Sequence, residues 1–166
     1  DKSKKPDWNP QDLLICKNAI IHLPSLYGGS EYRAQPTPSL FTTTALDFDF
    51  VEADKCPEPV RWLQFLDELW PDDQESIDAL QLWFGYCLTA DARQHKLLCL
   101  FGPKRGGKTT LASVLSDLVG RGNVGAPTLS SFSTNFGLWP LVGRTLAIIG
   151  DARLSGRSDA AVIAER

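Results

Sequence analysis

The residues best suited to do chemistry are Gly102, Gly107, Lys108 and Thr109, which meet the pattern G-x-x-x-x-G-K-[ST] at every required position. Pro103, Lys104, Arg105 and Gly106 fill the loop between them, and Thr110 follows. A triphosphate needs many hydrogen-bond donors at short range, more than bulky side chains can supply. A loop wound about the β-phosphate offers backbone N–H groups instead, and glycine lets that backbone come close. A helix starting directly after the loop aims its N-terminal dipole at the anion. Lys108 adds a mobile positive charge for the β- and γ-phosphates, and the Thr109 hydroxyl can ligate Mg²⁺. Gly102 to Thr110 is therefore the candidate nucleotide-binding segment, with ATP and Mg²⁺ as its expected ligands.

Downstream, Asp151 closes the run Leu146-Ala147-Ile148-Ile149-Gly150. A buried strand ending in an acid after such a loop is the Walker B pattern. Asp151 would hold Mg²⁺, directly or through water, opposite Thr109. Lys108 and Asp151 are thus the candidate catalytic residues, and Thr109 and Asp151 the candidate metal ligands. The plainer alternative for the second motif is a buried strand that simply ends in a turn.

These groups need a strand, a loop and a helix to hold them. The five apolar residues Leu97 to Phe101 predict a buried parallel strand before the loop. After it, Leu111, Val114, Leu115, Leu118 and Val119 recur on one helical face, and Gly120 predicts the stop. A short strand is expected within 124–132. An alanine-rich helix is expected to open after Ser155.

Ahead of the loop the chain reads differently. Residues 13–23 predict one or two short strands with a turn near Lys17-Asn18. Pro24 to Pro38, with three prolines and adjacent glycines, predicts a loop. Residues 41–50 favour a strand with Leu46, Phe48 and Phe50 inward. Pro59 suits the first turn of a helix carrying Trp62, Leu63, Phe65, Leu66, Leu69 and Trp70, which Pro71 ends. Asp72, with Glu75 three residues on, predicts the cap of a next helix carrying Ile77, Leu80, Trp83, Phe84, Cys87 and Leu88. Asp91 to Lys96 is the polar link to the loop segment. The expected organisation is a small α-rich (α+β) domain over 1–95 and the N-terminal part of an α/β P-loop core over 96–166.

Other chemistry-bearing residues have plainer readings. His22 sits alone in an apolar setting, which favours a structural role over a ligand role. Asp47 and Asp49 share a strand face and could pair on a metal, but without a further ligand a solvated face is preferred. The tryptophans at helical spacing could stack bases, but core packing is preferred. Cys87 and Cys99 lie in apolar runs and read as buried thiols. No two cysteines have metal-site spacing. Four could pair as disulfides in principle, but buried thiols are the plainer reading, so a reducing, cytoplasmic compartment is expected.

The composition is globular, with 43% apolar and 22% charged residues. No apolar run is long enough to span a bilayer, and no apolar stretch follows Lys4-Lys5 as in a signal peptide, so no membrane association is expected. The 166 residues contain no methionine, which reads as a piece of a longer protein. Charge is divided unevenly. Residues 1–95 hold 8 basic and 16 acidic side chains, a net of −8; residues 96–166 hold 9 and 4, a net of +5. The basic second part suits nucleic acid, or merely offsets the phosphates bound by the loop.

Several stretches together resemble one family. They are Leu46-Asp47-Phe48-Asp49, Ala53-Asp54-Lys55-Cys56-Pro57, the Trp/Leu helix, and Phe84-Gly85-Tyr86-Cys87-Leu88 shortly before the Walker A loop. Phe136-Gly137, Leu141-Val142-Gly143-Arg144 and the Walker B strand follow it. From about Leu13 to Asp151 the chain resembles the phage/plasmid and poxvirus-type primase-helicases, in which a helical domain precedes an AAA+-like superfamily 3 helicase core. The resemblance implies an ATP-driven ring helicase, usually hexameric, working on single-stranded or forked DNA during replication of a mobile element or virus. Gly102, Gly107, Lys108 and Thr109 match the family's Walker A, and Asp151 its Walker B acid. Ala152 departs from the pattern, since family members often carry a second acid there to polarise the attacking water. The family's sensor asparagine, arginine finger and DNA-binding hairpin would lie beyond Arg166, so this stretch alone is expected to bind nucleotide better than it hydrolyses it. Two rival functions use the same loop: a small-molecule or nucleotide kinase, and a module that binds nucleotide only to assemble. Ala152 favours the latter.

Overall fold

A computed structural model of the chain describes residues 8–150 apart from 30, 39, 41, 43 and 90. The chain is a mixed α/β protein that divides into two compact units, Asp1–Lys108 and Thr109–Arg166. The division falls just inside the helix that follows the glycine-rich loop, so the loop belongs with the helical module ahead of it.

The first unit begins with β1 (Leu13–Ile15) and β2 (Ile20–His22), joined by the expected turn at Lys17-Asn18. They pair antiparallel, with Leu14 opposite Ile21, and β3 (Arg33–Ala34) pairs antiparallel on the other side of β2. Leu13, Cys16, Ala19, Ile20, Ile21 and Leu46 form the core here.

Two sequence expectations change in this region. Pro24 to Pro38 is not all loop: α1 (Leu23–Gly28) and β3 lie inside it. Pro24 occupies the first turn of α1, where its missing N–H costs nothing, and Gly29 closes the helix at φ +70. Two of the breakers that signalled a loop, Pro24 and Gly29, instead start and stop a short helix. Residues 44–50, expected as a strand, are irregular. Leu46 N–H donates to the Ile15 carbonyl and Lys17 N–H to the Phe48 carbonyl, but the Asn18 side chain then takes over. Its amide donates to the Phe50 carbonyl at 3.1 Å and accepts from Phe50 N–H at 2.8 Å. A side chain has replaced the ladder, so no strand propagates. Leu46 is buried as expected, and Phe48 and Phe50 are half-buried.

The helical pair follows. α2 (Val60–Leu69) has Pro59 at its N-cap, and α3 (Gln74–Cys87) begins after the turn at Pro71-Asp72. The cap of α3 is Asp73, not Asp72. Asp73 accepts from Ser76 N–H at 3.1 Å and from the Ser76 hydroxyl at 2.7 Å. Asp72 has φ +59 and so stands in the turn outside the helix. Leu66 on α2 is fully buried, and Ile77, Leu80, Phe84 and Cys87 on α3 are buried too. The Trp62 ring lies 5.8 Å from Phe84 and 5.7 Å from Phe65, which ties the two helices together. Trp62, Trp70 and Trp83 are half-buried, in keeping with a packing role.

In the second unit, α4 (Lys108–Val119, its first residue contributed by the first unit) buries Leu111, Leu115 and Val119. Gly120 ends it at φ +88. β4 (Val124–Gly125) and β5 (Leu146–Ala147) then pair in parallel, Val124 opposite Leu146. None of the helices among the described residues is long and apolar enough to cross a membrane.

Candidate nucleotide-binding site

The loop is a tight turn that closes partly on itself. Gly106 N–H donates to the Pro103 carbonyl at 3.2 Å. Arg105 sits at φ +64 and Gly107 at φ +75. These left-handed values turn the chain sharply. The N–H groups of Lys104, Arg105, Gly107 and Lys108 donate to no acceptor among the described residues. They are the kind of donors an anion would take up.

Lys108 folds back over this turn. Its ammonium donates to the Gly102 carbonyl at 2.9 Å and to the Pro103 carbonyl at 2.7 Å. An ammonium has three donors, so one remains. The positive charge is thus held at the mouth of the loop by two main-chain oxygens of that same loop. Gly102 to Arg105 are exposed, and Gly106 to Lys108 are half-buried. Lys104 and Arg105 add two exposed cationic side chains at the tip. Thr109 and Thr110 are exposed in the first turn of α4.

Gly107 is fixed by packing as well as by φ. A β-carbon placed there would lie 2.9 Å from Leu69 Cδ2 and 3.1 Å from Phe65 Cζ. The apolar stripe of α2 therefore backs directly onto the loop. Nothing in the residue pattern signalled this: Phe65 and Leu69 read only as core positions.

The strand expected before the loop does not form. Leu97 to Phe101 are irregular and unpaired among the described residues, and Leu97 and Phe101 are 67% and 86% exposed. A parallel strand is held by ladder bonds and by cover on both faces, and this segment has neither. Cys99, expected to be buried, is exposed for the same reason. Cys87 is buried as expected, and burial pushes its thiol up to about 11. All four cysteines are free.

The strand expected before Asp151 forms only as the two residues of β5, and it is not buried as expected: Leu146, Ile148 and Ile149 are half-buried and Ala147 is exposed. β5 continues the parallel pairing, with Ile148 N–H donating to the Gly125 carbonyl at 2.9 Å. Asp151 itself lies outside the described residues, as do Ala152 and the helix expected after Ser155. No family model matches the chain. No curated protein matches it in sequence.

The remaining candidates have structural partners. His22 Nδ1 lies 2.6 Å from the Ser25 hydroxyl, and its ring stacks on Trp8 at 4.9 Å. Asp47 pairs with Lys17 at 2.8 Å, which holds the Lys17 ammonium above its ordinary pKa. No cluster of three acid, histidine or cysteine side chains that could hold a metal occurs among the described residues. In the polar link, Asp91 takes a two-pronged contact from Arg93 at 2.9 Å, which lowers its pKa.

Proposed function

We propose that this chain is the nucleotide-binding part of an ATP-driven DNA helicase of the phage, plasmid or virus replication type. The observation that supports the nucleotide reading is the Gly102–Lys108 turn, which combines N–H groups without acceptors among the described residues with a Lys108 ammonium folded back on its own carbonyls. Such an array is matched to a polyphosphate, whose charge needs several short donors at once. The helicase reading rests on the resemblance of the surrounding stretches to primase-helicases. It implies a P-loop core of the AAA+-like kind, assembly of the full protein into a ring of like subunits, single-stranded or forked DNA as partner, and a cytoplasmic replication compartment.

Within that reading, the loop N–H groups bind and orient the β-phosphate. The Lys108 ammonium follows the charge that develops on the γ-phosphate as water attacks in line. Thr109 and Asp151 are the residues that would hold Mg²⁺, which when bound neutralises charge on the phosphate oxygens. Asp151 would be the lone acid at its position, since alanine follows it. Exchange of Lys108 for alanine in the full protein tests the reading. ATP binding or hydrolysis is expected to be lost, and ATPase activity that survives the change sinks the assignment. Release of phosphate to water, stimulated by single-stranded DNA, separates a helicase motor from a kinase or a passive assembly module.

A further inference from the structure

The geometry points to Phe65 and Leu69 of α2 as positioning residues of the phosphate-binding loop, so that the helical module sets how tightly nucleotide is held. This rests on the nucleotide reading above and adds a control to it. Phe65 and Leu69 are four apart and share one face of α2. Both stand close enough to Gly107 that a single added carbon would collide with them at 3.1 and 2.9 Å. Gly107 N–H and the adjoining Lys108 N–H are two of the loop's free donors. The wall that fixes the Gly107 backbone therefore fixes the direction of both.

The wall is itself rigidly held. Leu66, next to Phe65, is fully buried. The Trp62 ring stacks on Phe84 at 5.8 Å and lies tilted at 5.7 Å from Phe65, which carries the packing on to α3. Close-packed interiors transmit small shifts rather than absorb them. A sub-ångström move of α2 would then displace donors whose value to a phosphate depends steeply on distance and angle. Ordinary core residues would affect stability alone. Positioning residues affect affinity in protein that is still folded.

Equilibrium binding of methylanthraniloyl-ADP to the full protein, measured by fluorescence beside a thermal melt, separates the two. Leu69→Ala is expected to weaken binding about tenfold, and Phe65→Leu several-fold. Leu69→Met should bind nearly as the parent does. Leu82→Ala, on an exposed position of α3 (76% accessible), should change nothing. Should Leu69→Ala fail to fold, Phe65→Leu, which keeps an apolar side chain and removes only the ring, decides the matter. Unchanged affinity in variants with lowered melting temperatures overturns the positioning role and leaves the nucleotide reading intact. A parent protein that does not bind the probe overturns both.

Discussion

Placing a methyl group on Gly107 should damage nucleotide binding through two separable costs. The first is conformational. Gly107 has φ +75, where an L side chain costs about 1–2 kcal/mol. The second is steric. The new carbon would sit 2.9 and 3.3 Å from the two methyl carbons of Leu69 and 3.1 Å from Phe65 Cζ. The atoms met are the ends of half-buried side chains that can give way, so this cost is small beside the first. The sum is at least about 1 kcal/mol against the loop shape that presents the donors. The free loop can escape by adopting other shapes, so the cost appears as a smaller binding-competent fraction rather than as unfolding. Gly107→Ala should therefore weaken nucleotide affinity at least about fivefold, with little change in melting temperature. Isothermal titration with ADP measures the first and differential scanning fluorimetry the second. The combination with Leu69→Ala is diagnostic. It removes the 2.9 and 3.3 Å collisions and leaves φ and Phe65 untouched. The double variant should then lose less than the two single losses multiplied together. Affinity within twofold of the parent for Gly107→Ala refutes the reasoning, and strictly multiplicative losses refute the steric half of it.

Three further outcomes are expected. Leu66→Ala should destabilise the first unit by about 2–5 kcal/mol in a denaturant titration, because its fully buried side chain leaves a cavity between α2 and its neighbours. Asp73 should contribute to acid sensitivity: hydrogen bonds from Ser76 depress its folded pKa. Its stabilisation is thus complete above the ordinary aspartate range and lost as pH falls through the depressed value. Asp73→Asn should flatten the acid limb of a melting-temperature profile, and an unchanged limb would remove Asp73 from the explanation. Finally, a thiol reagent at neutral pH should label Cys56 and Cys99 readily while Cys16 and Cys87 stay protected, since the latter two are buried and their thiols are pushed up. Rapid labelling of Cys87, read by peptide mass, would contradict the packing of α3.

How much of this was legible in the sequence depended on whether a signal was local. The helix after the loop, with Leu111, Leu115 and Val119 inward and Gly120 at its end, follows from periodicity and one glycine. The hairpin about Lys17-Asn18 and the helical pair of α2 and α3 were readable for the same reason. The tight turn at the loop was readable because its glycines mark where the chain must bend. What failed depended on partners elsewhere in the chain. Whether residues 44–50 make a ladder was decided by the Asn18 side chain, far away in sequence. Asp72 and Asp73 differ by one position, and only the reach to Ser76 N–H chooses between them. The contact of Gly107 with Phe65 and Leu69 left no mark, since a side chain that supports a loop is chosen by the same apolar rule as one that fills a core.

The unpaired segment before the loop bears on which side of the loop holds its shape. In a strand-loop-helix unit, the strand's ladder fixes the entry to the turn and the helix fixes its exit. Here Phe101 immediately precedes Gly102 and is 86% exposed, so the entry has no ladder to fix it. The exit is fixed instead by two other means. Gly107 is pressed by α2, and Lys108 reaches back to the Gly102 and Pro103 carbonyls. The second of these crosses the whole turn, so the lysine tethers the entry to the exit. A charge-assisted hydrogen bond contributes about 1.5–3 kcal/mol when its groups are shielded from water, and less at an exposed loop such as this one. The tether therefore biases the turn toward the shape seen here. Under the function proposed above, the same ammonium that holds the turn would also neutralise a bound phosphate.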